Sequence, residues 1–446
     1  MPQTDREIAD HLLTAARNAG AEAADAIVLA SQGVHIGVSG RVLEEAESSE
    51  SREAGLRVLL GARQACVSTS DLSAGALDVL ADRAVAIAKE APEDPTVGLL
   101  DPAELSAGID ADLELEDPAQ PAAPEALEAL ALEAEEAALA VAGVSQVEQA
   151  HAGREAMDVT LAATNGLMGS YRRTSFSVGA SAIAGEGLAR ERDYAGETRR
   201  FIADMPSAAS IGTRSGERAV AALNPRKPPG GAVPVLYDER CASSLIGHIL
   251  SAVNGAQVAR GASWLRDAMG SQVLPKGMDL IEDPLMPRGL GSRPFDAEGI
   301  GGARRPIIED GVLERWVLDA ATGRKLGLAS TGNARRGVTA PPSPGVSNVV
   351  LTQGPASRDD LIAEMGRGLI VTSMIGLSIS ATTGDYSRGA SGFWVEGGEI
   401  AYPVNELTIA GSLPNMVKSM IAANDADPYR SYQVPSLLVE GLTVGA

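Results

Sequence analysis

Two stretches in the second half of the chain constrain the fold more than any others: RRPIIEDGVLERWVLDA (304–320) and GFWVEGGEIAYPVNE (392–406). Each alternates apolar and polar residues around a two-residue break, Asp310-Gly311 in the first and Gly397-Gly398 in the second. A period of two puts successive side chains on opposite faces of a strand. An Asp-Gly pair supplies the positive φ that a type I′ turn requires at both central positions. The second half is therefore expected to be built from antiparallel hairpins, and the closing PSLLVEGLTVGA (435–446) reads as a further strand pair. An uncharged helix from Cys241 to Val258 is expected after the apolar strand AVPVLY (232–237).

The first half mixes periods. Thr4 can cap a helix from Asp5 to Asn18 that carries Ile8, Leu12, Leu13 and Ala16 on one face. Strand-like runs follow, DAIVLAS (25–31), GVHIGVSG (33–40), GLRVLLGA (55–62) and ACVSTSD (65–71), before a helical period returns over 73–91. Residues 92–123, with five prolines among acids, read as an irregular crossing; 123–143 reads as a helix stopped by Gly143. Alternating strands and a last helix over 207–224 lead to PRKPPGG (225–231), a Pro/Gly/basic break. The expected organisation is α+β: an N-terminal α/β domain over 1–226 and a mainly antiparallel β domain over 227–446.

Only 3% of the 446 residues are aromatic while 45% are hydrophobic, so the core must be built mainly from Ala, Val, Leu and Ile. Forty-nine glycines suit many tight turns. The net charge of −22 disfavours direct binding to nucleic acid, whose affinity comes largely from Lys and Arg on phosphates. Much of that charge lies between Glu90 and Gly153, where sixteen acids stand without one Lys or Arg and read as a solvated acidic face. Cys66 and Cys241 show no paired spacing and fit a reducing compartment. Asp5, Glu7 and Asp10 stand where a signal peptide would be basic and then apolar, and the uncharged runs 241–259 and 368–384 are too polar for membrane spans. The expected location is cytoplasmic.

Candidate chemistry centres on CASSLIGHIL (241–250). His248 is a zinc-ligand type, but a zinc site needs three or four deprotonated N, O or S donors, and no second His stands nearby. Cys241 and His248 share a helix face but are separated by a rise of about 10.5 Å, whereas a nucleophile and its base need about 3 Å. Asp296 and Glu298, in GSRPFDAEGIGG (291–302), could pair for acid/base work, but the flanking glycines favour an exposed structural turn. The Gly/Ser/Thr-rich 329–337 and 380–392 match no nucleotide-binding fingerprint. Trp264, Trp316 and Trp394 read as core or interface anchors.

From GAVPVLYDER (231–240) onward the chain resembles the TldD/PmbA family, in its PmbA (TldE) branch. The resemblance runs through GASWLRDAMGSQV (261–273), GLGSRPFDAEG (289–299), 303–336, TTGDYSRGASGFWVEGGEIAYPVNELTIAGSL (382–413) and the closing GLTVGA, and more loosely through 47–71. In that family the TldD branch looks like a zinc protease with an HExxxH helix and a Cys ligand near the C-terminus. The resemblance implies that the second His falls on His248 and the residue before it on Gly247, with Ser243 and Ser244 in the places of the first His and the Glu. No Cys occurs between Ala422 and Arg430, where the thiolate is expected. It thus implies a lost site, with Ser243, Ser244, Gly247 and His248 as a vestigial or interface face, no metal or other cofactor in this chain, and zinc in a TldD-like partner subunit. Without a metal to distort it, the helix is expected to be regular. The resemblance further implies a cytoplasmic two-part metalloprotease that trims or degrades unfolded peptides, leader peptides among them, with Asp296 and Glu298 in a turn of the substrate channel. The alternatives are a self-sufficient homodimeric hydrolase with an unrecognised site, and an interaction protein without catalysis, since the family has been described as a modulator of DNA gyrase.

Overall fold

The computed structural model describes residues 3–106, 112–119 and 123–445. Helix α1 (Asp5–Asn18) begins where Thr4 and Glu7 form a reciprocal capping box, and it buries Ile8, Ala9, Leu12, Ala15 and Ala16. Strands β1 (Ala23–Ser39), β2 (Val42–Leu60) and β3 (Arg63–Thr69) and helix α2 (Ala74–Glu90) follow. After the crossing segment come α3 (Pro124–Leu139), β4 (Val144–Ala163), β5 (Met168–Ala184), β6 (Glu191–Arg199) and α4 (Ala208–Ala221).

The strands form one sheet in the order β3-β2-β1-β4-β5-β6, antiparallel at every pairing. The two strands expected at 25–31 and 33–40 are one. Gly33 and Gly37 are paired within the ladder, Gly37 beside a bulge where a Cβ would meet the Gln149 amide at 2.8 Å. These glycines mark close approach, not turns.

Even-numbered residues of β1 sort the two faces of this sheet. Ala24, Ala26 and Val28 pack with α1 and α2, and Ile36 and Val38 with α3 and α4. Odd-numbered Ile27, with Val159 and Leu161, instead meets Val338 and Phe295 from the second half. All four helices thus cover one face, and part of the other is covered by the second half.

The second half contains β7 (Gly231–Tyr237), α5 (Glu239–Ala252), α6 (Gly255–Ala259), β8 (Leu280–Asp283), β9 (Arg305–Glu309), β10 (Val312–Leu313), α7 (Ala320–Leu326), β11 (Ala334–Arg335) and β12 (Ser343–Pro344). It ends with β13 (Asn348–Leu351), α8 (Arg358–Met365), β14 (Arg367–Ile379), β15 (Asp385–Glu396), β16 (Glu399–Ser412), α9 (Leu413–Lys418), β17 (Ile421–Ala422), β18 (Tyr432–Gln433) and β19 (Leu437–Gly445). A smaller sheet runs β10-β9-β8-β13-β18, and the larger runs β16-β15-β14-β7-β19-β17. Because β16 also pairs with β19, the larger sheet closes on itself. Among the named ladders of the second half, β7–β14 in the larger sheet and β13–β18 in the smaller are parallel and the rest antiparallel.

Both expected hairpin turns form. Asp310 and Gly311 have φ of 46° and 78°, and Gly397 and Gly398 have 63° and 82°. The expected pair at 435–446 does not form. Gly441 sits at φ 76° in a bulge, so the segment continues as the single strand β19.

Beside the apolar contact of Ile27 with Val338 and Phe295, a buried ion cluster fixes how the halves sit. Asp25 and Arg57 are cross-strand partners on the face away from the helices, and Arg57 Nε donates to Asp25 at 2.7 Å. Arg336, from the second half, donates to the other carboxylate oxygen. Burial alone would raise the Asp25 pKa, but Arg336 and Arg57 outweigh it and hold the carboxyl below its ordinary value. Nearby, Gly55 leaves room for the backbone of Val338, which an added Cβ would meet at 2.2 Å.

Asp25→Asn keeps the shape and strands two guanidiniums. The loss expected when one partner leaves a buried pair is about 3–5 kcal/mol, read as a lower urea midpoint at neutral pH. Because the folded pKa is depressed, this contribution is present above the ordinary carboxylate value of about 4 and is lost as pH falls through the lower folded value. The gap between wild type and variant should therefore close in acid; a constant gap would mean the charge is not what stabilises.

Candidate functional site

Asp238 caps α5 by accepting the backbone N–H of Arg240 at 3.1 Å. The helix buries Cys241, Ala242, Leu245, Ile246, Ile249 and Leu250, a stripe that fixes how it lies on the larger sheet. Ser243, Ser244, Gly247 and His248 flank that stripe and are half-buried. The helix runs without a break from Glu239 to Ala252, and Ser244 Oγ donates back to the Cys241 carbonyl at 2.7 Å. It does not reach Val258 as one piece. Gly255 packs against Val317 and Leu318, where a Cβ would lie 2.4 Å from a Leu318 methyl, so the chain turns at Asn254 and restarts as α6.

The structure separates the vestigial-face residues. Ser244 lines a cleft of about 570 Å³ between the two halves. Ser243 lines a neighbouring groove of about 370 Å³. His248 points to a third recess, with Trp264, Ile379 and Leu413, and its ring meets Tyr386 edge-on at 5.9 Å. Its Nε2 is buried without a hydrogen-bond partner among the described residues. Burial first, and then the charge of Arg388, push the His248 pKa down to about 4, so the ring is neutral at physiological pH. Burial likewise pushes the Cys241 thiol up to about 12, which removes it as a nucleophile.

The donor chemistry at this helix does not fit zinc. Among the described residues no three His, Cys, Asp or Glu side chains converge as a metal site. Around the expected thiolate, Ala422 and Ala423 are buried in the core, Asp425 accepts from Ser436, and Asp427 pairs with Arg430. Serine hydroxyls at 243 and 244 do not replace a His and a Glu.

The main cleft has two walls. One is β6, which among the described residues pairs only with β5 and whose Tyr194 and Thr198 carbonyls accept from the side chains of Arg218 and Arg199; the second is α5 with β14, β15 and β16. Arg240 of α5 reaches Asp193 of β6 at 2.9 Å, and Asn405 of β16 donates to Glu191 of β6 at 3.3 Å. Tyr194 and Arg240 border both the cleft and the neighbouring groove, so the two run on past the Ser243/Ser244 face. Period and spacing gave no sign of Glu191, Asp193, Arg240 and Arg388 as neighbours. Arg388 lies within the Gly/Ser-rich 380–392, which folds mostly as β15.

Asp296 and Glu298 lie elsewhere. The turn is not exposed, as its glycines suggested: the two residues are 1% and 8% accessible. Asp296 accepts backbone N–H groups from Glu298, Ile300 and Ala334, and Glu298 accepts that of Ala320 at the start of α7. They brace loops and do not line the cleft. Burial, then Asp296, push the Glu298 pKa up to about 8. Trp394 and Trp316 are core residues, while Trp264 is half-buried beside the His248 recess.

Comparison with known proteins matches three consecutive segments to PmbA/TldA metallopeptidase domains: residues 24–88 to domain 1, 116–223 to the central domain and 230–446 to the C-terminal domain. The chain is 35% identical over 433 residues to a protein named metalloprotease PmbA from Escherichia coli O157:H7, covering 97% of this chain and 93% of that one. A crystal structure from Bacteroides thetaiotaomicron, described as a modulator of DNA gyrase, superposes with a TM-score of 0.92 at 26% identity, covering 99% of each chain. TldE from Thermococcus kodakarensis shares the fold, with a TM-score of 0.86 at 18% identity, covering 98% of this chain and 100% of that one.

Glu298 offers a test with a defined sign. With its folded pKa raised, the carboxyl stays protonated in the folded chain from the ordinary value near 4.3 up to about 8, while the unfolded chain ionises. Its contribution therefore becomes less favourable as pH rises through that window. Glu298→Gln keeps an acceptor for Ala320 and should be more stable than wild type, increasingly so from pH 5 to pH 8 by thermal melting. A variant penalty that grows with pH would show an ionised, stabilising Glu298.

Proposed function

The chain belongs to the PmbA/TldD family of metallopeptidases, and on that premise we propose that it is the metal-free subunit of a two-part cytoplasmic peptidase. A TldD-like partner would carry the zinc. This chain would shape the chamber and hold the backbone of an unfolded peptide beside it. The reading is carried by the composition of α5: Ser244 lines the cleft, Ser243 the neighbouring groove, and His248 is turned into a separate recess, while the family resemblance sets the two serines in the places of the first His and the general-base Glu.

The β6 edge away from β5 supports the peptide-holding role, a peptide N–H taking the place of the side-chain donors that Arg218 and Arg199 now give to the Tyr194 and Thr198 carbonyls. An unpaired strand edge recognises an extended backbone through main-chain hydrogen bonds without demanding a sequence, which suits unfolded substrates. The cleft lies along that edge and is lined largely by polar groups of both halves. Among the described residues no helix is long and apolar enough to cross a membrane. The net charge of −22 speaks against a duplex as partner, so any influence on a DNA enzyme would pass through protein contacts.

One observation favours a second reading. The 35%-identical relative is itself named a metalloprotease, which would suit a self-sufficient, homodimeric hydrolase.

The test is hydrolysis of an unstructured leader-type peptide by this chain alone, by a TldD-like chain bearing HExxxH alone, and by the two mixed. Cleavage only in the mixture, abolished by a chelator, is expected. Cleavage by this chain alone would overturn the metal-free assignment and favour the second reading. Within the mixture, His248→Ala should change the rate by less than tenfold, since the ring is turned into a recess outside the cleft and does not reach a bound peptide there. A larger loss with assembly intact would give His248 a chemical role.

A further inference from the structure

Three arginines border the main cleft, and two of them are already neutralised. Arg192 pairs with Glu148 at 2.7 Å, and Arg240 with Asp193 at 2.9 Å and Asp238 at 3.3 Å. Arg388 is different. Among the described residues it forms no ion pair and no side-chain hydrogen bond, and its Nε is buried without a partner. A guanidinium carries five N–H donors and stays charged at any physiological pH. Leaving such a group half-buried and uncompensated is unfavourable, so its state in the free chain is incomplete.

The fold aims this side chain with care. On β15 Arg388 alternates between Tyr386 and Ala390, both buried in the core cluster that includes α5, so the three side chains share that face of the strand. On the β14 side the ladder skips from Ile375↔Gly389 to Ser378↔Ser387, so there Arg388 lies beside a bulge, while on its other side it pairs with Ile409 of β16. Bulges of this kind re-aim a side chain. The head enters the cleft with Ser244, Ser391 and Asn405, groups that can donate alongside it. Its charge is felt by His248, Cys241, Tyr237 and Tyr386, which places it at the foot of α5. The cleft's own carboxylates, Glu191 and Asp193, are engaged by Asn405 and Arg240.

We infer that Arg388 is the anchor of a carboxylate-binding subsite in this cleft, taking the C-terminal carboxylate or an acidic side chain of a bound peptide. A guanidinium fork matches a carboxylate in a bidentate pair, and partial burial strengthens that pair relative to water. The inference rests on the peptide-holding role proposed above and adds a chemical preference to it. Where the metal-bearing branch would hold a cation with protein carboxylate and imidazole, this cleft holds a fixed cation and awaits an anion.

The experiment uses the whole chain and three acetylated, unstructured decapeptides of the same Ala/Ser/Gly composition, titrated by calorimetry at low salt. One ends in a free carboxylate, one in an amide, and one in an amide with a single internal Glu. A charge-assisted pair of this kind corresponds to about ten- to a hundredfold in affinity, so at least one carboxylate peptide should bind at least tenfold tighter than the plain amide. The free acid alone responding identifies the terminus as the source, the Glu peptide alone identifies the side chain, and both responding admits either. Arg388→Gln should erase the difference and Arg388→Lys restore part of it, with melting curves confirming that both variants fold. Equal binding of all three peptides to wild type, or a preference that survives in Arg388→Gln, overturns the subsite and leaves peptide holding intact. No binding of any peptide overturns both.

Discussion

The Asp25 carboxylate, shared between Arg57 of its own sheet and Arg336 of the second half, is the contact on which the rest of the arrangement depends. It sits on the sheet face that no helix covers, and it brings the 336–338 segment close enough that Gly55 must lack a side chain. Arg200 extends the same seam by donating to the Gly289 and Leu290 carbonyls, and Phe295 fills the space above Gly169. The cleft has one wall from each half, so its width is set by this seam. Were the seam to loosen, β6 and α5 would no longer face each other, whatever residues they carried. Buried ion pairs give little net stability but penalise misplacement severely, which is what positioning two walls requires.

The same logic explains the scarcity of aromatics. Helices α3 and α4 approach until a Cβ on Gly212 would lie 1.9 Å from the Ala134 carbonyl oxygen, and their core is mostly alanine. Close approach of backbones replaces bulky side chains as the means of filling space. Where volume is needed, large groups supply it: Trp394 and Tyr237 are the largest completely buried side chains.

How much of this was legible in the sequence depends on how local the cause is. Helix α1 was readable to its ends because its start is set by Thr4 and Glu7, three residues apart, and the Asp310-Gly311 and Gly397-Gly398 turns because φ is a property of the residue itself. The break expected next to Gly33, and the one not expected at Gly255, were misread for the opposite reason. These glycines admit the paired strands or Leu318, which lie far away in sequence. The turn holding Asp296 read as exposed because its burial comes from Ala320 and Ala334. The cleft was the least legible of all, since Glu191, Arg240, Arg388 and Asn405 meet only after the larger sheet closes through β16 and β19.

Helix α5 separates its packing from its surface chemistry. The stripe that seats the helix, from Cys241 to Leu250, is separate from the flanking face of Ser243, Ser244, Gly247 and His248. Residues on that flanking face can therefore differ without disturbing how the helix packs. Gly247 is harder to account for from inside the chain. An added Cβ there would meet nothing within 4 Å, and alanine would favour the helix by about 0.5–1 kcal/mol. Neither packing nor backbone conformation calls for glycine at this position. A smooth helix surface has a use only if something outside this chain lies against it, and a second subunit closing over the cleft would supply that.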